Sequence, residues 1–346
     1  MSILTANIKR VYKQFREEIF VLPSRTIVLL FCLALFLLPL IMTEPYYLRI
    51  LIMASIFAIF AASWDLLSGF TGQVNFGHAL FFGVAAYTAA LLNANVGLPP
   101  WLTIPLGALA AVLAGLIVGV PCLRLRGTYL ALATLAFPLI LTGVVFAIPN
   151  ITGGELGVSG IQRLSESRVI EYYIAVTIMV VLGFVMWKIS VSKTGILFHA
   201  IREDEVTARA SGINTTRYKL LAFCLSGFFA GIAGGLYAHF MRQAGPSTLE
   251  LQLSFQVIIW VIFGGIATIY GPIAGAFILV LLMEFLTVAP GIRMLLFAAM
   301  VMLILLFMPE GLTTWVRNKT EKICPRCKLR NIATRKVCRV CRAELD

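Results

Sequence analysis

Residues 193–219 read KTGILFHAIREDEVTARASGINTTRYK and form the longest polar segment in the middle of an otherwise apolar chain. This segment lies between two apolar runs, near 169–190 and 219–241, that are each long enough to cross a bilayer. It mixes both signs of charge and reaches a glycine at Gly212. A charge-mixed helix followed by a glycine turn, inside one loop of an apolar chain, predicts a surface presented to a soluble partner.

Composition places the chain in a membrane. Of its 346 residues 60% are hydrophobic and only 13% are charged, whereas a soluble domain carries about 25% charged residues. Residues 1–25 have a net charge of +3 and residues 317–346 one of +7, which together make ten of the formal +12. Basic ends on a neutral middle are typical of flanks at the cytoplasmic face of a membrane, and they argue against nucleic acid as the partner.

The apolar runs predict an all-α integral membrane protein with about ten transmembrane helices. They lie near 26–43, 47–66, 76–93, 101–123, 128–148, 169–190, 219–241, 251–269, 272–289 and 291–308. With the basic N-terminus inside, the basic residues of 124–126, 188–219 and the tail also fall inside. We therefore expect a multi-pass protein of the cell (inner) membrane with both termini in the cytoplasm.

Glycines predict how the helices pack. Gly227, Gly231 and Gly235 recur every four residues and line one helix face, where small residues let two backbones approach closely. The glycine-rich segment 149–168 forms the longest external loop. Two interpretations of that loop stay open, an ordinary connection and a cap over a pathway or contact for a binding protein.

The polar segment itself carries the first candidate site. Glu203, Asp204 and Glu205 stand at the start of a helical stretch, where acidic groups suit the helix dipole. Gly212 reads as the stop signal of that helix. A short helix, a glycine turn and a following membrane helix make a compact knob that fits a cleft in another protein, although a charged loop alone is more often a solvated linker.

A second candidate site interrupts an apolar region at residues 69–78, GFTGQVNFGH. Glycine-broken, polar backbone at membrane depth is tolerated where protein or a water-filled cavity surrounds it. One interpretation is that the segment lines a translocation path; the other is that its polar groups satisfy one another between helices. The candidate path residues are Gly72, Gln73, Asn75, Gly77 and His78.

The tail predicts a metal site. Cys324 and Cys327 form one CxxC pair, and Cys338 and Cys341 form a second pair after ten intervening residues. This is the spacing of a zinc ribbon, in which four thiolates hold a tetrahedral ion and leave no position for substrate. We expect a structural, cytoplasmic zinc ribbon rather than disulfides, because the cytoplasm is reducing.

Several motifs resemble those of the permeases of branched-chain amino acid ABC transporters, of the LivM type. The sequence EDEVTARASGINTTRYKLLAFCLSGFFAGIAGGLYA (203–238) resembles the cytoplasmic coupling loop of that family and the helix after it. Other resembling motifs, in order, are SWDLLSGFTGQVNFGHALFFGVAAYTAALL (63–92), RLRGTYLALATLAFPLI (124–140), TGGELGVSG (152–160), IFGGIATIYGPIAGA (262–276) and MPEGL (308–312).

This resemblance implies a permease subunit of an ABC importer for branched-chain or related apolar amino acids. It implies a second, LivH-like permease subunit, two ATPase subunits and an extracytoplasmic substrate-binding protein as partners. The chain has no GxxxxGK[ST] phosphate loop, so ATP is expected only on the partner subunits and the chain is not expected to be an enzyme. By matching position, Glu205, Ala208, Ala210 and Gly212 belong to the knob that docks on an ATPase.

The predicted organisation has three parts: a basic cytoplasmic N-terminus (1–25), a permease domain (26–316) with its coupling loop at 192–219, and the zinc ribbon (317–346). Three other functions remain open from sequence. They are a urea or short-amide importer of the same family, an ion-coupled secondary carrier that needs no ATPase, and a membrane-anchored scaffold that moves no solute.

Overall fold

A computed structural model describes residues 23–42, 44–122, 125, 127–288, 291–308, 310–325, 327, 330–332, 337–338, 341 and 343–344. The predicted N-terminal segment is almost wholly outside this part of the chain, as are Arg124 and Arg126. The regular structure of the described part is helical apart from two small two-stranded sheets and one isolated bridge between Val337 and Glu344. This architecture fits the predicted all-α class.

Each of the ten predicted apolar segments contains a helix. These ten are α1 (Pro23–Ile41), α2 (Pro45–Trp64), α3 (Ala79–Val96), α4 (Pro100–Cys122), α5 (Thr128–Ala147), α7 (Arg168–Val191), α10 (Thr215–Met241), α11 (Leu251–Gly264), α12 (Tyr270–Phe285) and α13 (Arg293–Phe307). Within the described residues, six helices are long and apolar enough to cross a membrane: α2 with its extension to Gly69, α3, α4, α5, α7 and α10. Helices α11, α12 and α13 have only 14 to 16 residues.

The remaining elements are short and lie between these helices or after the last of them. They are a π-helix (Asp65–Gly69), α6 (Pro149–Thr152), β1 (Val158–Ser159), α8 (Lys193–Glu203), α9 (Glu205–Ala210), β2 (Gln243–Ala244), 3-10 turns at Pro246–Leu249 and Leu286–Val288, α14 (Leu312–Thr320), β3 (Glu321–Ile323) and β4 (Arg330–Ile332). Strands β1 and β2 pair antiparallel, as do β3 and β4.

Helix α2 is the centre of the bundle. In the most apolar window of α2 and its π-helical end 89% of residues are buried, compared with 28% in α5 and in α7. Its side chains are apolar on every face, which suits a helix enclosed by other helices. Phe60 of α2 is fully buried against Phe82 of α3, with ring centroids 4.9 Å apart.

Helices α3, α4 and α10 pack closely because glycines face their neighbours. A Cβ atom on Gly231 would lie 2.7 Å from the Cα of Ala108 in α4, and one on Gly235 would lie 3.2 Å from the Cα of Ile104. Gly227 abuts the ring of Phe81. The glycine face predicted from the four-residue repeat thus contacts α4 at Gly231 and Gly235, and Phe81 of α3 at Gly227.

The loop predicted at 149–168 is tied to the helices beside it. The ring of His239 in α10 is fully buried, with Nε2 2.7 Å from the hydroxyl of Thr103 and Nδ1 2.7 Å from the carbonyl oxygen of Gln162. The backbone N–H of Gln162 donates to the side-chain oxygen of Asn93 at 2.8 Å. Together with the pairing of β1 and β2, these bonds attach the loop to α3, α4 and α10.

Replacing Gly231 with alanine tests the close packing. We expect Gly231→Ala to lower the free energy of unfolding in detergent by about 1–3 kcal/mol, because the new methyl group meets the backbone of α4. Gly143→Ala in α5 is the matched control, since nothing lies within 4 Å of its added Cβ. The control should melt at the parent temperature or slightly above it, and equal melting of the two variants would contradict the packing.

Candidate functional site

The polar segment 192–219 folds as two short helices rather than one. Helix α8 ends at Glu203, and Asp204, with φ −155° and ψ 110°, separates it from α9. The carboxylate of Asp204 accepts hydrogen bonds from the backbone N–H groups of Val206 and Thr207 at 2.8 and 3.1 Å and from the Thr207 hydroxyl at 2.8 Å. These bonds lower the pKa of Asp204. Asp204 is therefore the N-cap of α9.

Glu205 faces the inside of the same segment. Its carboxylate makes a salt bridge with Lys219 of α10, a second with Arg209 at 3.0 Å, and accepts from the Thr215 hydroxyl at 3.3 Å. The Lys219 side chain is 10% exposed and the Glu205 side chain 23% exposed. This cluster joins α9 to the first turns of α10. The residues predicted from sequence for this site do not include Lys219. Its position gave a signal, because a lysine at the start of an apolar helix needs an acidic partner nearby.

The other predicted residues divide by exposure. Ala208, within α9, is buried, whereas Glu203, Ala210 and Gly212 are exposed. Val206 is also exposed, at 66%, and adds an apolar side chain to that surface. Gly212 has φ +85°, a conformation that glycine adopts without strain, and nothing lies within 4 Å of a Cβ built on it. A partner that meets this segment would meet those four exposed residues.

Helix α8 packs directly on the segment 69–78. The guanidinium of Arg202 donates to the carbonyl oxygen of Gly69 at 2.6 Å, and the rings of His199 and Phe70 lie 5.0 Å apart. Burial and the charge of Arg202 lower the pKa of His199. Gly72, with φ +71°, leaves room for the Arg202 side chain. The two regions that the sequence singled out separately are therefore in contact.

Polar groups in 69–78 mostly satisfy one another. The side-chain oxygen of Asn75 accepts from the N–H of Gly77 at 2.9 Å, and its backbone carbonyl accepts from the indole of Trp64 at 2.7 Å. The His78 ring is fully buried, with Nε2 2.9 Å from the Ser63 hydroxyl. This geometry favours the second interpretation for Asn75 and His78, that of mutual satisfaction between helices.

Gln73 connects this segment to α10. Its amide N–H group donates to the Thr71 hydroxyl at 2.9 Å and to the carbonyl oxygen of Lys219 at 3.4 Å. Its side-chain oxygen is buried without a hydrogen-bond partner among the described residues. The glutamine thus lies between the candidate path segment and the start of α10.

Asp65 joins the same end of the bundle to a distant turn. It is fully buried at the start of the π-helix, and its carboxylate accepts from the backbone N–H groups of Ala267 and Thr268 at 2.7 and 3.0 Å. A π-helical turn inside a span is often found at functional sites. The sequence places Asp65 at the end of the second span and gives no sign of this partner, which is about 200 residues away in the chain.

The four tail cysteines form one cluster. Their sulfur atoms all lie within 4.8 Å of one another, with 3.4 Å between Cys324 and Cys341 and 3.5 Å between Cys327 and Cys338. These distances exceed a disulfide bond. They are close to the separation of about 3.8 Å for four sulfurs placed 2.3 Å from a tetrahedral ion. The side-chain N–H of Asn331 in β4 points to the sulfur of Cys338 at 3.6 Å.

The polar segment 192–219, with α8 and α9, is called the polar elbow from here on. Long apolar helices with such a charged segment at one end of the bundle are features of a polytopic membrane protein. Residues 46–307 match the family described as branched-chain amino acid transport system, permease component, and the chain belongs to that family.

Curated relatives agree with this assignment. The high-affinity branched-chain amino acid transport permease LivM of Escherichia coli is 31% identical over 309 residues, which cover 81% of this chain and 71% of the relative. LivM of Salmonella typhimurium is 31% identical over 298 residues, covering 78% of this chain and 70% of the relative. A probable LivH permease of Methanocaldococcus jannaschii is 27% identical over 274 residues, covering 70% and 84%. No solved structure matches the chain.

Exchanging single acids tests the inward role of Glu205. We expect Glu205→Gln to lower the free energy of unfolding by about 1–2 kcal/mol, because Lys219 and Arg209 lose their charged acceptor in a partly exposed cluster. Glu203→Gln, two residues away and exposed, should leave it unchanged. Thermal unfolding in detergent measures both. Equal stability of the two variants would show that Glu205 does not join α9 to α10.

Proposed function

We propose that the chain is the membrane-spanning permease subunit of an ABC importer for branched-chain or related apolar amino acids. The observation that carries this proposal is the contact between α8 and the segment 69–78, because it connects an exposed polar elbow to the buried end of the central helix α2. Membership of the permease family, and the names of the relatives similar over most of the chain, support the substrate class.

The proposed assembly follows from this role. A second permease subunit, LivH-like, completes the membrane part; two ATPase subunits supply the free energy of ATP hydrolysis; an extracytoplasmic binding protein delivers the amino acid. The similarity to a probable LivH permease supports the first of these partners. We infer ten crossings, with the polar elbow and both termini on the cytoplasmic side, because the basic clusters then all lie inside.

The exposed surface of Glu203, Val206, Ala210 and Gly212 is the proposed contact with the ATPase. Closure of the ATPase pair would displace α8 and α9 together, since Asp204 caps α9 with its side chain and donates its backbone N–H to the carbonyl oxygen of Ala200 in α8. The displacement would pass along two routes. One runs through Arg202 to the segment 69–78, and the other runs through the salt bridge of Glu205 to α10.

In this proposal the segment 69–78 transmits movement from α8 instead of lining the translocation path with accessible side chains. Gly72 is exposed but Gln73, Asn75, Gly77 and His78 are buried, so in this proposal the five residues transmit movement at one end of the pathway rather than form a row of freely accessible ligands. Their mutual hydrogen bonds and their contact with α8 support this role.

Uptake by proteoliposomes tests the function. The chain, reconstituted with its second permease subunit, the ATPases and the binding protein, should accumulate leucine, isoleucine or valine only when ATP is supplied. Gly212→Trp should reduce ATPase binding and ATP-driven uptake roughly ten-fold, because a bulky ring is placed in the proposed contact. The binding measurement and the uptake measurement are made on the same preparation.

Gly97→Trp is the matched control for this experiment. Gly97 also has a positive φ, +74°, and nothing lies within 4 Å of a Cβ built on it, but it ends α3 at the opposite end of the bundle. It should keep the parent affinity for the ATPase. Uptake by the chain alone without nucleotide would exclude the importer and favour an ion-coupled carrier, and competition by urea or short amides would revise the substrate.

We further propose that the four tail cysteines hold one structural zinc ion. The mutual distances of their sulfur atoms and the partial burial of the cluster support this proposal. When bound, zinc would supply the cross-link that orders a segment too small for a core of its own.

Metal analysis of purified protein tests the zinc site. We expect about one zinc ion per chain by mass spectrometry, because four thiolates complete one tetrahedral shell. Cys324→Ser should lose most of that zinc, whereas Cys32→Ser in α1, outside the cluster, should retain it. Metal-free parent protein with all four thiols reduced would refute the zinc assignment.

A further inference from the structure

Helix α14 is bound to the turn between α11 and α12. The hydroxyl of Thr313 donates to the carbonyl oxygen of Gly264 at 2.7 Å and lies 3.4 Å from the hydroxyl of Thr268. Gly311, at the start of α14, touches the same turn so closely that a Cβ on it would lie 2.6 Å from the Cα of Gly265. The start of α14 therefore fixes the position of residues 264–268.

The opposite side of this turn is held by Asp65. The carboxylate accepts hydrogen bonds from two backbone N–H groups of the turn. The π-helix that begins with Asp65 ends at Gly69. The carbonyl of Gly69 accepts the hydrogen bond from Arg202 of α8. A continuous series of contacts thus runs from Thr313, through the turn and the π-helix, to the proposed coupling helices.

The cysteine cluster lies directly beyond α14. The helix ends at Thr320 and β3 begins at the next residue, Glu321, so no flexible linker separates the helix from the hairpin. Cys324 follows the last residue of β3. In the partner strand β4, Asn331 is buried and donates to the sulfur of Cys338. The cluster is joined to Thr313 through well-defined secondary structure.

The hairpin and cysteine cluster after α14 have few other sources of order. Four thiolates held within 4.8 Å repel one another unless a cation or protons neutralise them. Without the ion, a hairpin of two three-residue strands has little apolar surface to bury. Helix α14 has nine residues; its first turn is held by Leu312 and Thr313, and its last turn leads directly into the hairpin.

We propose that α14 and the cysteine cluster form a metal-dependent brace on the coupling linkage. With a thiophilic divalent cation bound, the ordered hairpin holds α14 so that Thr313 fixes the 264–268 turn against Asp65. Loss of the cation releases α14, loosens the turn and weakens the transfer of movement between α8 and helices α11 and α12. This inference rests on the proposed zinc site and on the proposed route through Arg202.

Hydrogen–deuterium exchange of the full chain in nanodiscs, with its ATPase partners, tests the brace. Zinc is first quantified, and the exchange of residues 265–268 is then measured before and after treatment with a zinc chelator. We expect chelation to accelerate exchange in residues 310–323 and also in 265–268, roughly two- to ten-fold in the turn, the factor expected for loss of one hydrogen bond. A reference peptide within α10 should not change.

Two variants separate the brace from the metal. Thr313→Val keeps the side-chain shape and removes the hydroxyl, so it should accelerate exchange in 265–268 with zinc still bound and abolish the further effect of chelation there. Thr314→Val makes the same change at the next residue, whose hydroxyl makes no hydrogen bond to the described residues. This variant should exchange like the parent. Uptake per ATP hydrolysed should fall for Thr313→Val alone.

Three results would overturn the inference. Chelation that loosens residues 310–323 while leaving 265–268 unchanged would make the arm a passive tail. Identical exchange in the two threonine variants would remove Thr313 as the contact. Protein that binds no cation in the metal analysis would remove the metal dependence. All three readouts are independent of uptake, so failure of the brace is distinguishable from failure of the importer.

Discussion

The hydrogen bond from Arg202 to the carbonyl of Gly69 links the polar elbow to the interior of the bundle. It requires the carbonyl of Gly69, the last residue of the π-helix at the end of α2, as its acceptor. It also requires glycine at that position, because a Cβ would lie 1.9 Å from a carboxylate oxygen of Asp65. The π-helix, the charge on α8 and the buried acid are therefore mutually dependent, and the other elements at this end are arranged around them.

Two ionisable side chains buried at the elbow end of the bundle, Asp65 and Lys219, connect separate segments. Asp65 accepts two hydrogen bonds from the backbone N–H groups of the turn at 267–268. Lys219, in the first turns of α10, makes a salt bridge with Glu205 of α9. A charge inside a bundle is costly unless such partners are present. Each pair therefore fixes the relative position of two elements, which apolar packing alone specifies less strictly.

Much of the fold follows from sequence patterns that act locally. Ten apolar runs, a four-residue glycine repeat and two CxxC pairs predict the helices, the closely packed glycine face of α10 and the cysteine cluster. The inward orientation of Glu205 and the bond between Asp65 and the turn at 267–268 were not predictable in the same way. Those partners are 14 and about 200 residues apart, so tertiary packing, rather than any local periodicity, brings them together.

The glycine contacts of α10 have a mechanical consequence. At Gly231 and Gly235 the backbone of α10 lies against the Cα atoms of Ala108 and Ile104, so few side-chain atoms separate α10 from α4 there and the pair is stiff. The 27 residues of α10 extend about 40 Å. Its first turns are bound to Glu205, while His239 near its far end is bound to Gln162 of the 149–168 loop. In the proposed mechanism, a tilt imposed at the Glu205 end of α10 would therefore also displace the end that is held by the 149–168 loop.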